Sequence, residues 1–168
     1  MKNQISNRKS KIIHLIAACV ILAAFGPLAA ELSRAQGQGR GGPPNPINAT
    51  FTLPGACGFD VQITITGRSS EISLPNGGFI ETGPNFTGTF TNLSDPTKSV
   101  TLNLQGAGHI SFDQNGNQIL TLTGRNLAFE PGLLLLIGNF TYEFDPDGNL
   151  ISGPTGNGTM TDICGLIN

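Results

Sequence analysis

His109, Ser111 and Asp113 are the residues whose types suggest nucleophilic catalysis, because a Ser-His-Asp triad uses the same three side chains. On an extended strand these alternate positions would share one face. Side chains two positions apart on a strand are separated by about 7 Å, which is too far for the direct hydrogen bonds of a triad. No G-x-S-x-G motif, which would expose a nucleophile, occurs in the chain. We interpret the three residues as a polar outer face and assign no catalytic residue.

A second group of oxygen-bearing side chains lies in the turn Asp145-Pro146-Asp147-Gly148-Asn149. Carboxylates and amides at alternate positions are ligands that calcium prefers. The distal glutamate and the flanking helices of an EF-hand are missing, however, and a hairpin turn accounts for every residue. Asp145, Asp147 and Asn149 are therefore a weak calcium candidate. Zinc-ligand spacing and a phosphate-binding loop are also absent from the sequence, so we expect no metal and no cofactor.

The N-terminal segment, residues 1–35, is typical of an export signal. Four basic residues precede an apolar stretch from Ile12 to Phe25, and Ser33-Arg34-Ala35 offers small residues for cleavage. Two alternatives remain open. The apolar stretch continues to Ala30 and could act as an uncleaved membrane anchor over residues 12–30, or Cys19 could carry a lipid. All three alternatives place the rest of the chain outside the cytoplasm, and secretion is the prediction.

The mature chain would start at Gln36 with 133 residues, which suits one domain. Residues 36–46 are rich in Gly and Pro and predict a disordered linker, so a single domain is expected over 47–168. Four basic and ten acidic residues remain after the signal, a net charge of −6. This balance argues against binding to nucleic acid, and no membrane association is expected after cleavage.

The elements that must position any site are β-strands, because apolar residues recur with a period of two. Segments near residues 59–66, 86–91, 99–104, 109–113, 120–123 and 140–144 show this alternation. Turn signals such as Asn115-Gly116 and Asp147-Gly148 separate them. The turn after Phe112 resembles the turn after Phe144, and two hairpins with the same turn explain this better than a duplication. The stretch from Leu133 to Ile137 breaks the alternation and could be a strand buried on both faces, a bulge or a lid.

Cys57 and Cys164 are the only cysteines after the signal, so a Cys57–Cys164 disulfide is expected in an oxidising compartment. Such a bridge brings the start and the end of the domain together. In a closed meander the first and last strands are neighbours, and closure also removes exposed edges. We therefore predict an all-β antiparallel meander that forms a closed barrel of about eight strands. A two-layer β-sandwich is the alternative.

The chain resembles a group of uncharacterised secreted bacterial proteins with a C-F-D start and a D-I-C end. The resemblance is carried by Cys57-Gly58-Phe59-Asp60-Val61 and Asp162-Ile163-Cys164, together with Thr123-Gly124-Arg125-Asn126 and other short segments over residues 50–168. An inserted Gly58 departs from the tighter form of the first motif. The resemblance implies export and a shared fold, and it implies no activity.

We expect a secreted domain that is more suited to non-catalytic binding, or to a surface or structural role, than to catalysis. One alternative is a carrier for a small apolar ligand, with Leu133 to Ile137 near the mouth of its cavity. A less favoured alternative is a barrel enzyme, either a hydrolase or a cyclase or isomerase that uses Tyr142 or Arg125. Threonines at alternate strand positions could form a hydroxyl array for glycan or ice binding, although β-propensity explains them as well. A filled interior would favour the binding or structural role. A large apolar cavity would favour a carrier, and a cavity that also holds a buried carboxylate or tyrosine would favour an enzyme.

Overall fold

The computed structural model describes residues 43–75 and 77–168. The expected export signal, its alternative anchor over residues 12–30 and the alternative lipidation site Cys19 all lie outside the described residues. The first strand begins at Asn45, slightly before the expected domain start at residue 47. No helix within the described ranges is long and apolar enough to cross a membrane.

The described chain is all-β and antiparallel, as the period of two predicts. It contains strands β1 (Asn45–Leu53), β2 (Val61–Ser73), β3 (Phe79–Thr82), β4 (Thr87–Asn92), β5 (Ser99–Asn103), β6 (Gly106–Phe112), β7 (Gln118–Ala128), β8 (Leu134–Phe144) and β9 (Leu150–Asp162), followed by a 3-10 turn at Cys164–Leu166. In β2 the alternation is visible directly, because Val61, Ile63 and Ile65 are buried while the residues between them are not.

The strands pair in the order β5-β4-β2-β3-β6-β7-β8-β9, and β1 pairs with the free side of β2. The sheet does not close within the described residues, because β9 pairs with β8 alone. The expectation of a closed barrel is therefore corrected. The disulfide joins the loop between β1 and β2 to the turn after β9, so the two chain ends meet without pairing of the first and last strands.

The sheet bends instead of closing. Thr82 at the end of β3 and Thr87 at the start of β4 both pair with β2, but the residues between them interrupt the pairing. Leu104 and Gln105 separate β5 from β6 in the same way. Four glycines stand in register across the bend, namely Gly106, Gly124, Gly138 and Gly158. A side chain at Gly138, whose φ is 143°, would collide with the carbonyl of the neighbouring strand. Glycine thus permits a close backbone approach at this bend.

Beyond the bend two layers face each other. The first layer, called here the small sheet, consists of β1, β2, β4 and β5, and its inner face packs against the start of β8 and the C-terminal turn. This contact forms the closed cluster, whose buried members are Val61, Ile63, Ile65, Phe90, Leu104, Leu133, Leu135, Ile163 and Ile167. Cys57 and Cys164 pack at its border, with a Cα–Cα distance of 5.3 Å across their disulfide. The packing is compatible with the two-layer alternative.

On the other side of the bend, the large sheet of β3, β6, β7, β8 and β9 carries a second, smaller core. This open cluster consists of Leu122, Ala128, Leu136, Phe140 and Tyr142, and half-buried residues such as Leu120 and Phe144 extend it. The start of β8 serves both clusters, because Leu135 belongs to the closed cluster and Leu136 to the open one. Of the three interpretations of Leu133 to Ile137, a strand buried on both faces is confirmed.

Candidate functional site

A cavity of about 100 Å³ lies at the junction of the two clusters and is partly open to solvent. Ile65 and Leu104 line it from the small sheet, while Leu122 and Tyr142 line it from the large sheet. Residues 126–130, at the end of β7, complete the wall. Leu133 to Ile137, which the carrier hypothesis placed near the mouth, are not among the lining residues. That part of the hypothesis is corrected: the stretch is occupied in joining the two clusters.

Glu81 is the one carboxylate of β3, and β3 places it in the wall of the cavity. Its side chain is only 7% exposed. The register puts it beside Glu71 of β2 on one side and Gly108 of β6 on the other. Because Gly108 has no side chain, there is room above its backbone for one methyl group, whose nearest neighbours would lie at 3.5 Å or more. Beyond Gly108 the same row continues with Leu122 and Phe140, so on this side the carboxylate has apolar neighbours.

The Glu81 carboxylate has little compensation for its burial. The hydroxyl of Ser69 donates a long hydrogen bond of 3.3 Å to Oε1. Burial raises the pKa of Glu81 to about 7, with the Glu71 charge adding to the effect and the Ser69 bond opposing it. A carboxyl group with this pKa is present in both protonation states near neutral pH. Such a shifted group in a cavity is a reason to consider a functional site.

The charged groups around the cavity give it a negative electrostatic potential. Glu130 and Asn126 line it, and no Lys, Arg or His in the described part of the chain does so. The hydroxyl of Tyr142 donates a 3.0 Å hydrogen bond to the backbone carbonyl of Glu130, which fixes the ring in the wall. Burial raises the pKa of Tyr142 to about 12, and the nearby Glu130 charge acts in the same direction. Tyr142 is therefore a neutral hydrogen-bonded wall residue at physiological pH.

The structure separates the two side chains proposed for a barrel enzyme. Tyr142 lines the cavity, whereas Arg125 lies outside it and donates from Nε to the carbonyl of Asn103 at 3.0 Å. Glu81 was not recognised from the sequence. A short segment with Phe79 and Glu81 on one face and Ile80 and Thr82 on the other gives no clear apolar side. The signal that could have found Glu81 is its position on the same strand face as the apolar residue Phe79.

The residues of the apparent triad do not come together. His109 is exposed on β6 and pairs with Ile80 and Thr121, on the face opposite Gly108. Asp113 lies in the following turn, where its Oδ1 accepts hydrogen bonds from the backbone of Asn115 and Asn117, both at 2.8 Å. The carboxylate thus closes the turn and is not directed to a histidine.

The weak calcium candidate has the same turn geometry. The backbone of Asn149 donates to Asp145 Oδ1 and its side chain donates to Oδ2, each at 2.7 Å. These hydrogen bonds hold the pKa of Asp145 below its ordinary value. Asp147 is exposed at the tip. Within the described ranges no group of three or more His, Cys, Asp or Glu side chains is placed to share a metal ion. The common geometry explains the repeated sequence as one turn type used twice.

The threonine runs gather on two different sheets. The outer face of the small sheet carries one row across four strands, Thr50, Thr64, Thr89 and Thr101. Its hydroxyls pair across strands, with oxygen–oxygen distances of 3.0 Å for Thr50–Thr64 and 2.9 Å for Thr89–Thr101. The other runs, at Thr121 and Thr159, belong to β7 and β9 of the large sheet. Shorter rows at Thr66–Thr87 and Thr91–Ser99 pair in the same way, at 2.8 and 3.0 Å. The array on the small sheet therefore uses much of its hydrogen-bonding capacity internally.

No protein-family model, no curated protein and no solved structure was found to match this chain.

Proposed function

We propose that this protein is an exported, non-catalytic binding protein that holds a small ligand in the cavity between its two clusters. The observation that carries the proposal is the cavity itself, which is lined mainly by apolar side chains and contains one buried carboxylate. Ligand sites are commonly concave and apolar with few polar groups that fix orientation. A purely structural domain has no need to keep a poorly compensated carboxylate in its core.

The size of the cavity limits the ligand. An engineered cavity of roughly 150 Å³ is known to hold a benzene molecule. The cavity of about 100 Å³ therefore suits a group the size of a tert-butyl or isobutyl moiety. The carrier alternative called for a large apolar cavity, so a carrier of large apolar molecules is not the form of binding that we propose.

Export is supported by the basic and apolar N-terminal segment together with the disulfide. Mass spectrometry of the protein recovered from outside the producing cells tests it. We expect the mass of the chain from Gln36, less two hydrogens for the disulfide. An intact N-terminus inside the cells, or two free thiols, would contradict export. The resemblance to secreted bacterial proteins remains part of this proposal and contributes no activity.

Binding is tested by NMR titration of the purified protein with tert-butanol, a neutral probe of suitable shape. We expect shifts confined to cavity residues such as Leu122 and Tyr142. Gly108→Ala provides a matched steric control, because an added methyl group would meet its nearest neighbours at ordinary distances of 3.5 Å or more. It should fill the space and weaken the titration without unfolding the protein. Absence of any cavity response, together with no co-purifying small molecule in native mass spectrometry, would contradict the proposal.

A proton-transfer enzyme is the second candidate, and the pKa of Glu81 is the observation that favours it. A carboxylate with a pKa of about 7 is suited to general-base catalysis near neutral pH. The test is hydrogen–deuterium exchange at the carbon next to the carbonyl of pinacolone, a ketone of similar size. Exchange that is accelerated by the protein and abolished in Glu81→Gln would support catalysis. Exchange at the buffer rate would leave binding as the better description.

A further inference from the structure

We propose that the ligand is a small organic cation, an amine with a compact apolar body whose ammonium group pairs with the Glu81 carboxylate. This inference rests on the proposed binding function and adds the chemical class of the ligand. Its basis is the combination of a buried carboxylate and an apolar wall in one cavity. A charged group in such surroundings is stabilised best by an opposite charge with direct hydrogen bonds.

The charges around the site favour a cation over an anion. Among the described residues, the two carboxylates that line the cavity are Glu81 and Glu130, and no basic side chain lines it. Glu71, on the neighbouring strand, adds a third negative charge beside Glu81. A carboxylic acid ligand would meet this potential without a partner, whereas an ammonium group would be attracted by it.

The chemistry also fits at short range. Within the described residues, Glu81 accepts one long hydrogen bond, from the Ser69 hydroxyl, so its carboxylate retains acceptor capacity. Leu120, Phe86 and Phe144 line the same cavity and can contact the body of the ligand. The space above Gly108 lies next to the carboxylate in the register. A carbon atom placed above Gly108 would lie 3.5 and 3.7 Å from methyl groups of Leu120 and Leu122, so this space suits the apolar body of the ligand, while its ammonium group pairs with the Glu81 carboxylate.

A consequence is that binding depends on pH through Glu81. The groups around it are Glu71 from β2, Glu130 from the end of β7 and Tyr142 from β8, whereas His109 of β6 lies on the opposite face. Burial keeps Tyr142 neutral over the pH range of the experiment. Amine affinity should therefore rise about tenfold per pH unit below the pKa of Glu81 and become constant above it. A ligand that needs the protonated carboxyl group would show the opposite trend.

The experiment compares tert-butylamine, tert-butanol and pivalate, which share one shape and differ in charge, by NMR titration between pH 5.5 and 8.5. At pH 8.5 we expect the amine to bind at least tenfold more tightly than the alcohol and pivalate to bind most weakly. Glu81→Gln should remove the preference for the amine while keeping the affinity for the alcohol, which also shows that the variant is folded. Glu71→Gln removes a neighbouring charge outside the cavity and should change amine affinity by no more than about threefold.

The two proposals fail in different ways. If no probe perturbs the cavity residues, both the binding function and the amine class are wrong. If tert-butanol binds and responds to Gly108→Ala, but the amine is no tighter at pH 8.5 or is unaffected by Glu81→Gln, the binding function stands and the amine class is overturned. Tighter binding of pivalate at low pH would identify a carboxylic acid as the ligand class and would overturn the inference.

Discussion

The closed and the open cluster are built from the same kinds of strand, but they differ in how completely they are packed. In the closed cluster Val61, Ile63 and Phe90 have no exposed surface, and the disulfide lies at its border. The open cluster has five buried members against nine in the closed cluster, and the cavity with the buried carboxylate lies at the junction of the two. Covering the inner face of the small sheet with a second layer stabilises one end, while the other end retains space and a titratable group.

The C-terminus explains why one end is closed. Ile163 and Ile167 are fully buried in the closed cluster, and Asn92 at the end of β4 donates a 3.1 Å hydrogen bond to the carbonyl of Ile167. The disulfide then links this turn to the loop before β2. Within the described residues no disulfide or buried turn covers Glu81 in the same way, and residues 126–130 form only one wall of the cavity. The covalent link and the buried C-terminal residues are thus concentrated in the closed cluster, whereas the cavity lies at its junction with the open cluster.

The largest expected loss of stability comes from removing the disulfide at the border of the closed cluster. Cys57→Ala with Cys164→Ala opens a covalent link between residues 107 positions apart. The chain-entropy model assigns about 4–5 kcal/mol to a loop of this size. Guanidinium unfolding of the variant should show this loss in the free energy of unfolding, and reduced native protein should match it. A loss below about 1 kcal/mol would show that packing alone holds the ends together.

A matched pair of leucines compares the packing of the two regions. Leu135 is 3% exposed in the closed cluster, while Leu120 is half-buried beside the cavity. Leu135→Ala should cost about 3 kcal/mol and Leu120→Ala about 1 kcal/mol, because the second site loses less buried surface and already borders a cavity. Urea unfolding at one pH measures both. Equal losses would contradict the distinction between a tightly packed and a loosely packed end.

Glu81→Gln should make the free energy of unfolding less sensitive to pH. The folded-state pKa of about 7 lies above the ordinary value of 4.5, so the native protein holds the proton more tightly than the unfolded chain does. Stability from this group is therefore present below about pH 4.5 and is lost as the pH rises to about 7. The variant should match the native protein at pH 4 and exceed it by about 2–3 kcal/mol at pH 8. A difference that does not change with pH would contradict the assignment.

The smallest effect is expected on the outer face of the small sheet, away from both clusters. Thr89 and Thr101 share a hydrogen bond on a solvent-exposed surface. A double-mutant cycle with Thr89→Ala and Thr101→Ala should give a coupling energy of about 0.5 kcal/mol. Both single variants should leave the titration of the cavity unchanged. A coupling energy comparable to that of the buried leucines would mean that this face contributes to the core.

Local patterns in the sequence anticipated much of the fold. Alternation identified the main strands, the Asp-Gly and Asn-Gly turns identified the hairpins, and Cys57–Cys164 formed as expected. Strand β1 was missed although Ile47, Ala49, Phe51 and Leu53 alternate with polar residues. Strand β3 has only four residues, and β9 is interrupted by glycine and proline, so neither shows a clear alternation. The barrel prediction was wrong because a bridge between chain ends restricts their distance and does not require their strands to pair.

The candidate site was the least predictable part. Glu81 becomes a cavity residue only because β3 pairs with β6 in the register that places it beside Gly108. Register between strands distant in sequence depends on the packing of the whole sheet and leaves no local signal. The residues that attracted attention by type, His109 and Asp145, lie instead on an outer face and in a turn. Chemical type alone therefore pointed away from the cavity.

The most direct test of this account is the titration of the Glu81 side-chain carboxyl carbon by NMR, with and without tert-butylamine. We predict a pKa of about 7 in the free protein, since burial disfavours the charged form, and a lower pKa when the amine is bound. A pKa near the ordinary value of 4.5 that does not move on addition of the amine would contradict both the buried carboxylate and its proposed ligand.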